Sequence, residues 1–344
     1  MTLAPLGIAL LGAGRAGMIH AVNFARTVTG TRVVALADAS PETLQAAARA
    51  LDGATTFADY RDALAHPGVH AVVIATPTSL HREIAVAAAA AGKHILCEKP
   101  MAMNPAECVD MITAAERAGV ILQIGFMRRF DEGFVAAQAR IEAGEIGAVV
   151  QVKTLTHGPN HPKPWMFDLA TSNGPLAEVN SHDIDSVRWF SRSEFAEVYA
   201  IAGNYRTTEA LRGHPDFYDQ VLLSARLASG AQGSISGAQG VQYAYDARCE
   251  ILGTHGLITI GRLNGNEMIV CTKERELRRP AIISWMNRFR DAYLAEDVDF
   301  VACIREGRLP RAGGHDGRAA VAVVNAGNQS IRERRPVALL PLPA

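Results

Sequence analysis

Gly7-Ile-Ala-Leu-Leu11 runs without a break into Gly12-Ala-Gly14-Arg-Ala-Gly17, and the reading of this stretch decides the fold. An unbroken apolar run suits a strand buried on both faces, and a glycine-rich turn that opens a helix straight after it gives a G-x-G-x-x-G spacing its meaning. Gly12 suits the tight turn, Gly14 keeps a β-carbon out of the path of a pyrophosphate, and Gly17 permits close packing of helix on strand. The helix N-terminus adds free N–H groups and a partial positive charge. Gly12, Gly14, Arg15, Ala16 and Gly17 are therefore the expected cradle of a dinucleotide.

Similar apolar runs recur at 32–37, 71–75, 94–97 and 120–124, and the spacing predicts helices over 16–27, 41–50, 80–91 and 105–118 between them. Buried strands alternating with Ala-rich amphipathic segments define an α/β, doubly wound parallel sheet. Asp38 follows the second run, 21 positions after Gly17. A carboxylate there suits the adenosine ribose hydroxyls and repels a 2′-phosphate, which favours NAD over NADP. Beyond about residue 125 the rhythm changes: a helix near 131–143 gives way to partly alternating strands at 149–156, 197–201, 220–227, 232–237 and 247–252. Clustered strands with Gly-containing turns suggest an antiparallel sheet, and helices are expected to cover it at 178–190, 284–305 and 315–332. The expected division is a dinucleotide-binding domain over 1–124 and a substrate-binding and oligomerisation domain over 125–344.

Composition narrows the function. A chain of 344 residues suits two domains, and Lys plus Arg, 34, against Asp plus Glu, 35, leaves a formal charge of −1. No net field draws such a protein to nucleic acid or to an anionic membrane surface. The strongest apolar stretch, 84–92, is far short of the roughly 20 residues a membrane span needs. Five cysteines, none in a C-x-x-C pair, argue against a disulfide framework or structural zinc. With no basic leader ahead of the first strand, the expectation is a reduced, cytoplasmic protein.

Ala75-Thr-Pro-Thr-Ser-Leu-His81, Cys97-Glu-Lys-Pro100 and Gly125-Phe-Met-Arg-Arg-Phe-Asp131 together resemble the Gfo/Idh/MocA oxidoreductases. Asn180-Ser-His-Asp-Ile-Asp185 and Gln242-Tyr-Ala-Tyr-Asp-Ala-Arg-Cys-Glu250 resemble the inositol 2-dehydrogenase branch in particular. The resemblance implies an N-terminal Rossmann domain and a C-terminal α+β domain with an open, mostly antiparallel sheet. It further implies NAD as cofactor, oxidation of a secondary hydroxyl of an inositol or related cyclic polyol or pyranose, a homo-tetramer formed through the open sheet face, and a cis Lys99-Pro100 bond.

Oxidising an alcohol needs a base within reach of the hydroxyl while the hydride leaves. Lys99 lies at the carboxyl edge of the sheet, where doubly wound folds bind ligands, and partial desolvation beside a cationic nicotinamide lowers a lysine pKa. Glu178 and His182 lie four apart, so one helix would present both on one face. His182 is the expected proton relay and Glu178 its orienting carboxylate, with Asp183 or Asp185 as alternatives. Inositol dehydrogenases of the family usually carry Asp at the position of Glu178, and the extra methylene moves the oxygen. By resemblance, Arg129, His157 and Tyr243 or Tyr245 face the sugar, Tyr245 being the preferred tyrosine, while Thr76, Pro77, His81, Glu98 and Lys99 adjoin the nicotinamide ribose. His157, His161, His182, Asp183 and Asp185 lack a metal-ligand spacing, so no metal is expected. Two rivals keep the fold: a glycosidase that retains NAD through transient oxidation, and a non-catalytic NAD-binding regulator, the latter weakened by Lys99 and His182.

Overall fold

The computed structural model describes residues 4–51 and 53–340, so the limits expected at 1 and 344 lie outside the described residues. Among these, the first sheet has six strands: β1 (Leu6–Leu11), β2 (Thr31–Ala37), β3 (Thr55–Phe57), β4 (Ala71–Ile74), β5 (His94–Glu98) and β6 (Leu122–Gly125). Their order is β3-β2-β1-β4-β5-β6, and every pairing is parallel. Ile8, Ala9, Leu10 and Leu11 are fully buried, as are all four residues of β4, which is what strands covered on both faces require. The order reverses between β1 and β4, and such a switch point opens a crevice at the carboxyl ends of those strands.

Local chemistry starts and stops the crossover helices. Ser40 accepts from Thr43 N at 3.2 Å with Pro41 in the first turn, and Asn104 accepts from Glu107 N at 3.0 Å while the Glu107 carboxylate accepts from Met103 N. Such reciprocal bonds satisfy amides that a helix start otherwise leaves open. Gly119, at φ 64°, ends the helix Pro105–Ala118. Within this sheet and its crossovers two elements lie beyond the sequence expectation: β3, whose Thr-Thr-Phe forms no apolar run, and the six-residue helix Tyr60–Ala65.

The chain divides into two compact units, Met1–Phe130 with Asp291–Arg318, and Asp131–Arg290 with Ala319–Ala344. A single cut at 124/125 is therefore corrected: the segment Asp291–Arg318 returns to the first unit. Phe300 and Val301 join the core built on Ile8, Leu10 and Phe24, with the Phe24 and Phe300 rings edge to face at 6.5 Å. Arg305 Nη2 donates to the Gly30 carbonyl. Burial of Phe300 outweighs anything a local boundary signal near residue 124 could specify.

In the second unit Asp131 caps the helix Glu132–Glu142 by accepting from Gly133 N and Phe134 N. Its sheet comprises β7 (Val149–Gly158), β8 (Phe195–Gly203), β9 (Gln220–Leu227), β10 (Gln232–Gln239), β11 (Asp246–Gly253) and β12 (Leu257–Ile260). After a small hairpin, β13 (Val270–Cys271) and β14 (Leu277–Arg278), the strand β15 (Val337–Ala338) completes it. The order is β12-β11-β7-β10-β9-β8-β15, parallel only between β7 and β10, so the sheet is mostly antiparallel as expected.

Two expected helices are each two helices. The 284–305 segment forms Trp285–Arg288 and Arg290–Glu306, and the 178–190 segment forms Gly174–Glu178 and Ser181–Ser191. At the second break the Asn180 backbone N–H bonds the Pro175 carbonyl, at 3.2 Å, one residue further back than an α-helical bond reaches, and its side-chain amide donates to the Asp183 carboxylate at 2.8 Å. Glu178 closes one helix and His182 stands in the first turn of the next, so the argument that they share a helical face does not hold.

Phe300→Ala is expected to destabilise the protein by about 3–5 kcal/mol, the usual cost of deleting a buried Phe ring. Denaturant unfolding measures it, and a loss below about 1 kcal/mol would contradict the packing of Asp291–Arg318 on the first unit.

Candidate active site

At the switch point Gly12 adopts φ +96°, and a β-carbon there would lie 2.6 Å from the Ala75 backbone. A β-carbon on Gly17 would lie 2.1 Å from the Gly12 carbonyl oxygen, so the helix Arg15–Arg26 sits directly on the turn. Gly14 is different: a β-carbon there meets nothing within 4 Å. Its hydrogen thus faces the open cradle where a pyrophosphate would lie, beside the helix N-terminus. Asp38 closes the other side, its Oδ2 accepting from Ala13 N at 2.8 Å and its Oδ1 from Ser40 N at 2.8 Å. Arg15 is exposed and Ala16 half-buried on the first turn.

The neighbouring loops are tied together by His81, whose ring is buried. Nδ1 lies 2.9 Å from the Pro100 carbonyl oxygen and Nε2 2.8 Å from that of Thr76. Burial pulls the His81 pKa down despite these acceptors. His81 therefore joins the loop after β4 to the loop after β5, where it was expected against a ribose. The buried Thr76 hydroxyl has no protein partner among the described residues, and Pro77 beside it is exposed. An open glycine cradle, a carboxylate at the end of β2 and an orphaned hydroxyl at the end of β4 together fit a dinucleotide.

Lys99 is half-buried immediately after β5, with a cis bond to Pro100. Glu98 is only 5 % exposed and turned inward: Oε2 accepts from Lys99 N at 3.0 Å, and Oε1 lies 3.1 Å from His20 Nε2. His20 Nδ1 in turn lies 2.6 Å from Asp297 Oδ1, and Asn23 Nδ2 donates to Asp297 Oδ2 at 2.8 Å. Burial alone would lower the His20 pKa, but the charges and hydrogen bonds of Asp297 and Glu98 raise it well above its ordinary value. Burial would raise Glu98, yet His20 and Lys99 hold it below the usual carboxylate value. Next to them Glu296 is fully buried with both oxygens unpartnered among the described residues, and burial first, then neighbouring carboxylates, push its pKa well up against the opposing charge of His20. Arg129, expected to face substrate, is buried instead, with Nη2 on Asp316 Oδ1 at 2.8 Å and Nη1 on the Arg311 carbonyl at 2.6 Å.

The candidate residues of the second unit fall on opposite faces of its sheet, because successive residues of a strand alternate. From β7, Thr154 and Thr156 donate to the two oxygens of Asp183 at 2.5 and 2.7 Å, so that buried carboxylate anchors the helix Ser181–Ser191 to the sheet. His182 is 5 % exposed on that helix, and Glu178 is half-buried. Asp183 and Asp185 are both buried, which leaves Glu178 the more accessible carboxylate. His157 lies on the other face with Ser236 and Tyr243. Tyr243 donates to Asp246 Oδ2 at 2.9 Å and lies 2.8 Å from His157 Nδ1, so that nitrogen carries the proton and Nε2 accepts from Ser236 Oγ at 3.0 Å. Burial, outweighing the charges of Asp246 and Asp183, lowers the His157 pKa and keeps the ring neutral. Burial and Asp246 push the Tyr243 hydroxyl up to about 12. Tyr245, the tyrosine preferred from sequence, is buried edge-on against Phe289, and Tyr243 is the one that meets His157. Sequence reading passed over His20, Asp297, Ser236 and Asp246; a histidine three positions after Gly17 on the inward helix face was the available signal.

Among the described residues no group of three or more His, Cys, Asp or Glu side chains is placed to hold a metal, and no helix is long and apolar enough to cross a membrane. A doubly wound sheet with a dinucleotide cradle at its switch point defines the class, an NAD-dependent oxidoreductase. Residues 6–126 match the model of the oxidoreductase family with an NAD-binding Rossmann fold, and residues 134–259 match the Gfo/Idh/MocA C-terminal domain. The chain belongs to the Gfo/Idh/MocA family. It is 33% identical to the scyllo-inositol 2-dehydrogenase (NAD(+)) of Bacillus subtilis, over 96% of this chain and 95% of that protein. With the myo-inositol 2-dehydrogenase of Thermotoga maritima it shares 30% identity over 96% of this chain and 98% of that one. The crystal structure of scyllo-inositol dehydrogenase from Lactobacillus casei with bound NAD(H) and scyllo-inositol matches with a TM-score of 0.89 at 26% identity, covering 97% of this chain and 99% of that one.

Gly14→Val is expected to leave the thermal midpoint near that of the parent while weakening NAD binding by about tenfold or more in calorimetry, since its side chain enters only the open cradle. Unaltered affinity would place the pyrophosphate elsewhere. For Glu296, the folded protein keeps the carboxyl proton to a higher pH than the unfolded chain, so its contribution lowers stability as pH rises above the ordinary carboxyl range. Glu296→Gln is expected to gain stability over the parent between pH 4 and pH 8 in denaturant unfolding, and a pH-independent difference would contradict a protonated Glu296.

Proposed function

We propose that the protein oxidises a secondary hydroxyl of an inositol, or of a closely related cyclic polyol or pyranose, to the ketone, with Lys99 as acid/base. The observation that carries this reading is the position of Lys99: first residue beyond β5, at the carboxyl edge of a switch-point sheet, in a chain similar along its length to inositol 2-dehydrogenases. Lys99 is the acid/base, and His182 relays the proton between the hydroxyl and Lys99 with Glu178 as the orienting carboxylate. NAD, when bound, accepts the hydride. Gly12, Gly14, Arg15, Ala16, Gly17 and Asp38 hold its adenosine and pyrophosphate half; Thr76, Pro77, His81, Glu98 and Lys99 surround the other. His157 and Tyr243 contribute to polyol recognition, and the longer Glu178 side chain adjusts which ring is preferred. Asp38 accounts for a preference for NAD over NADP.

In the same reading the protein is a cytoplasmic homo-tetramer. The solvent face of the second sheet supports the assembly: Tyr199, Ile201, Leu222 and Leu252 are exposed, alternating with buried Val198, Ala200, Leu223 and Ile251. A row of exposed apolar side chains along a sheet is usually covered by another surface.

Purified protein with NAD or NADP is expected to reduce NAD with myo-, scyllo- or chiro-inositol ahead of glucose or galactose, followed by near-ultraviolet absorbance of the reduced nicotinamide. Reduction with a pyranose alone moves the substrate and points to Glu178. NAD binding without reduction by any polyol would instead favour the redox-neutral glycosidase or the regulator. Lys99→Ala is expected to lower turnover by on the order of 10²- to 10⁴-fold with NAD affinity retained, and Asp38→Ala to narrow the gap between NAD and NADP. Normal turnover in the first variant would remove Lys99 from the chemistry; an unchanged cofactor ratio in the second would remove Asp38 from ribose recognition.

A further inference from the structure

Three ionisable side chains and an amide lie in a row beneath the loop that carries Lys99. Asp297, His20 and Glu98 are 0 %, 0 % and 5 % exposed, and the row ends on the backbone N–H of Lys99. Removing charges from water is costly, and replacing such a group by apolar residues is often neutral or stabilising. Stability alone is a weak reason to build one.

The connections give another reason. His20 stands three residues after Gly17, on the helix that sits directly on the glycine turn, and it grips the carboxylate that closes β5. Gly125, paired with Glu98 across β5 and β6, makes the room: a β-carbon there would lie 3.1 Å from the Glu98 carboxyl. One rigid path therefore runs from the phosphate cradle through the helix to His20, then Glu98, then the Lys99 backbone. We propose that His20, backed by Asp297, is a positioning residue for the reaction: through Glu98 it fixes the backbone of Lys99 relative to the glycine turn. This rests on the reading of Lys99 as acid/base.

The groups facing the row are Glu296 and Tyr293 from the helix Arg290–Glu306, Asn23 from the first helix, Lys99 itself, and His81, whose ring feels the Glu98 charge. The Glu98 carboxylate also interacts by charge with Lys99.

The test compares His20→Gln, Asp297→Asn, Glu98→Gln and Lys99→Ala for thermal midpoint, NAD affinity by calorimetry, and kcat and KM with scyllo- or myo-inositol across pH. The expected result is a loss of kcat on the order of 10- to 100-fold in His20→Gln and Asp297→Asn, as for a misplaced reacting group, with NAD affinity and polyol KM changed less than about threefold. In Glu98→Gln, which weakens the link to both His20 and Lys99 N, kcat falls in the same range. Asp297→Asn lies one step further from the loop and carries the test if His20→Gln does not fold. Parental kcat in the folded variants, with only the thermal midpoint lowered, overturns the inference while a dead Lys99→Ala leaves the acid/base reading standing. Turnover surviving in Lys99→Ala overturns that reading and this inference together.

Discussion

The contact between Gly17 and the Gly12 carbonyl is the constraint on which the first unit depends. With no side chain on either residue, the helix Arg15–Arg26 closes on the end of β1 until any β-carbon at Gly17 would sit 2.1 Å from backbone oxygen. The closeness sets what the rest of that helix can reach. It leaves Ala13 N within 2.8 Å of Asp38 and brings His20 under β5, where Glu98 waits. A looser helix would still cover the sheet, but it would not hold its N-terminal amides over the switch point and its His20 and Asn23 against buried carboxylates at once.

In the second unit the equivalent organising group is Asp183. A fully buried carboxylate needs hydrogen-bond donors, and Thr154, Thr156 and Asn180 supply three. Because two of those donors are alternate residues of β7, Leu155 between them and His157 after them must face the other side. The alternation separates a histidine held in one tautomer by Tyr243 and Ser236 from the helix bearing His182. Polarity on both sides of one strand end is thus a product of one anchored carboxylate.

Elements whose causes are local were readable from sequence. Pro41 to Ala50 and Pro105 to Ala118 match residue for residue, because Ser40 and Asn104 mark where each helix begins. The glycine turn and the strand-end Asp38 were readable for the same reason. What escaped was set by distant partners. His20 and Asp297 are 277 residues apart, and nothing near either position announces the pairing. Arg129 reads as a ligand-facing residue until Asp316 is placed beside it, and Tyr243 and Tyr245 cannot be distinguished without knowing which one Phe289 covers. The helix expected to carry both Glu178 and His182 is interrupted at 179–180, where the Asn180 N–H bonds the Pro175 carbonyl five residues back.

The return of Asp291–Arg318 to the first unit has a consequence for how such chains are divided and recombined. A fragment ending near Gly125 would contain every glycine of the dinucleotide turn and still lack Phe300 from its core and Asp297 from beside His20. It would bury an imidazole next to one carboxylate where the intact chain supplies two. The cofactor-binding half is thus not a portable N-terminal cassette: chimeras between relatives must exchange two separate stretches together, and the later stretch carries part of the support beneath Lys99.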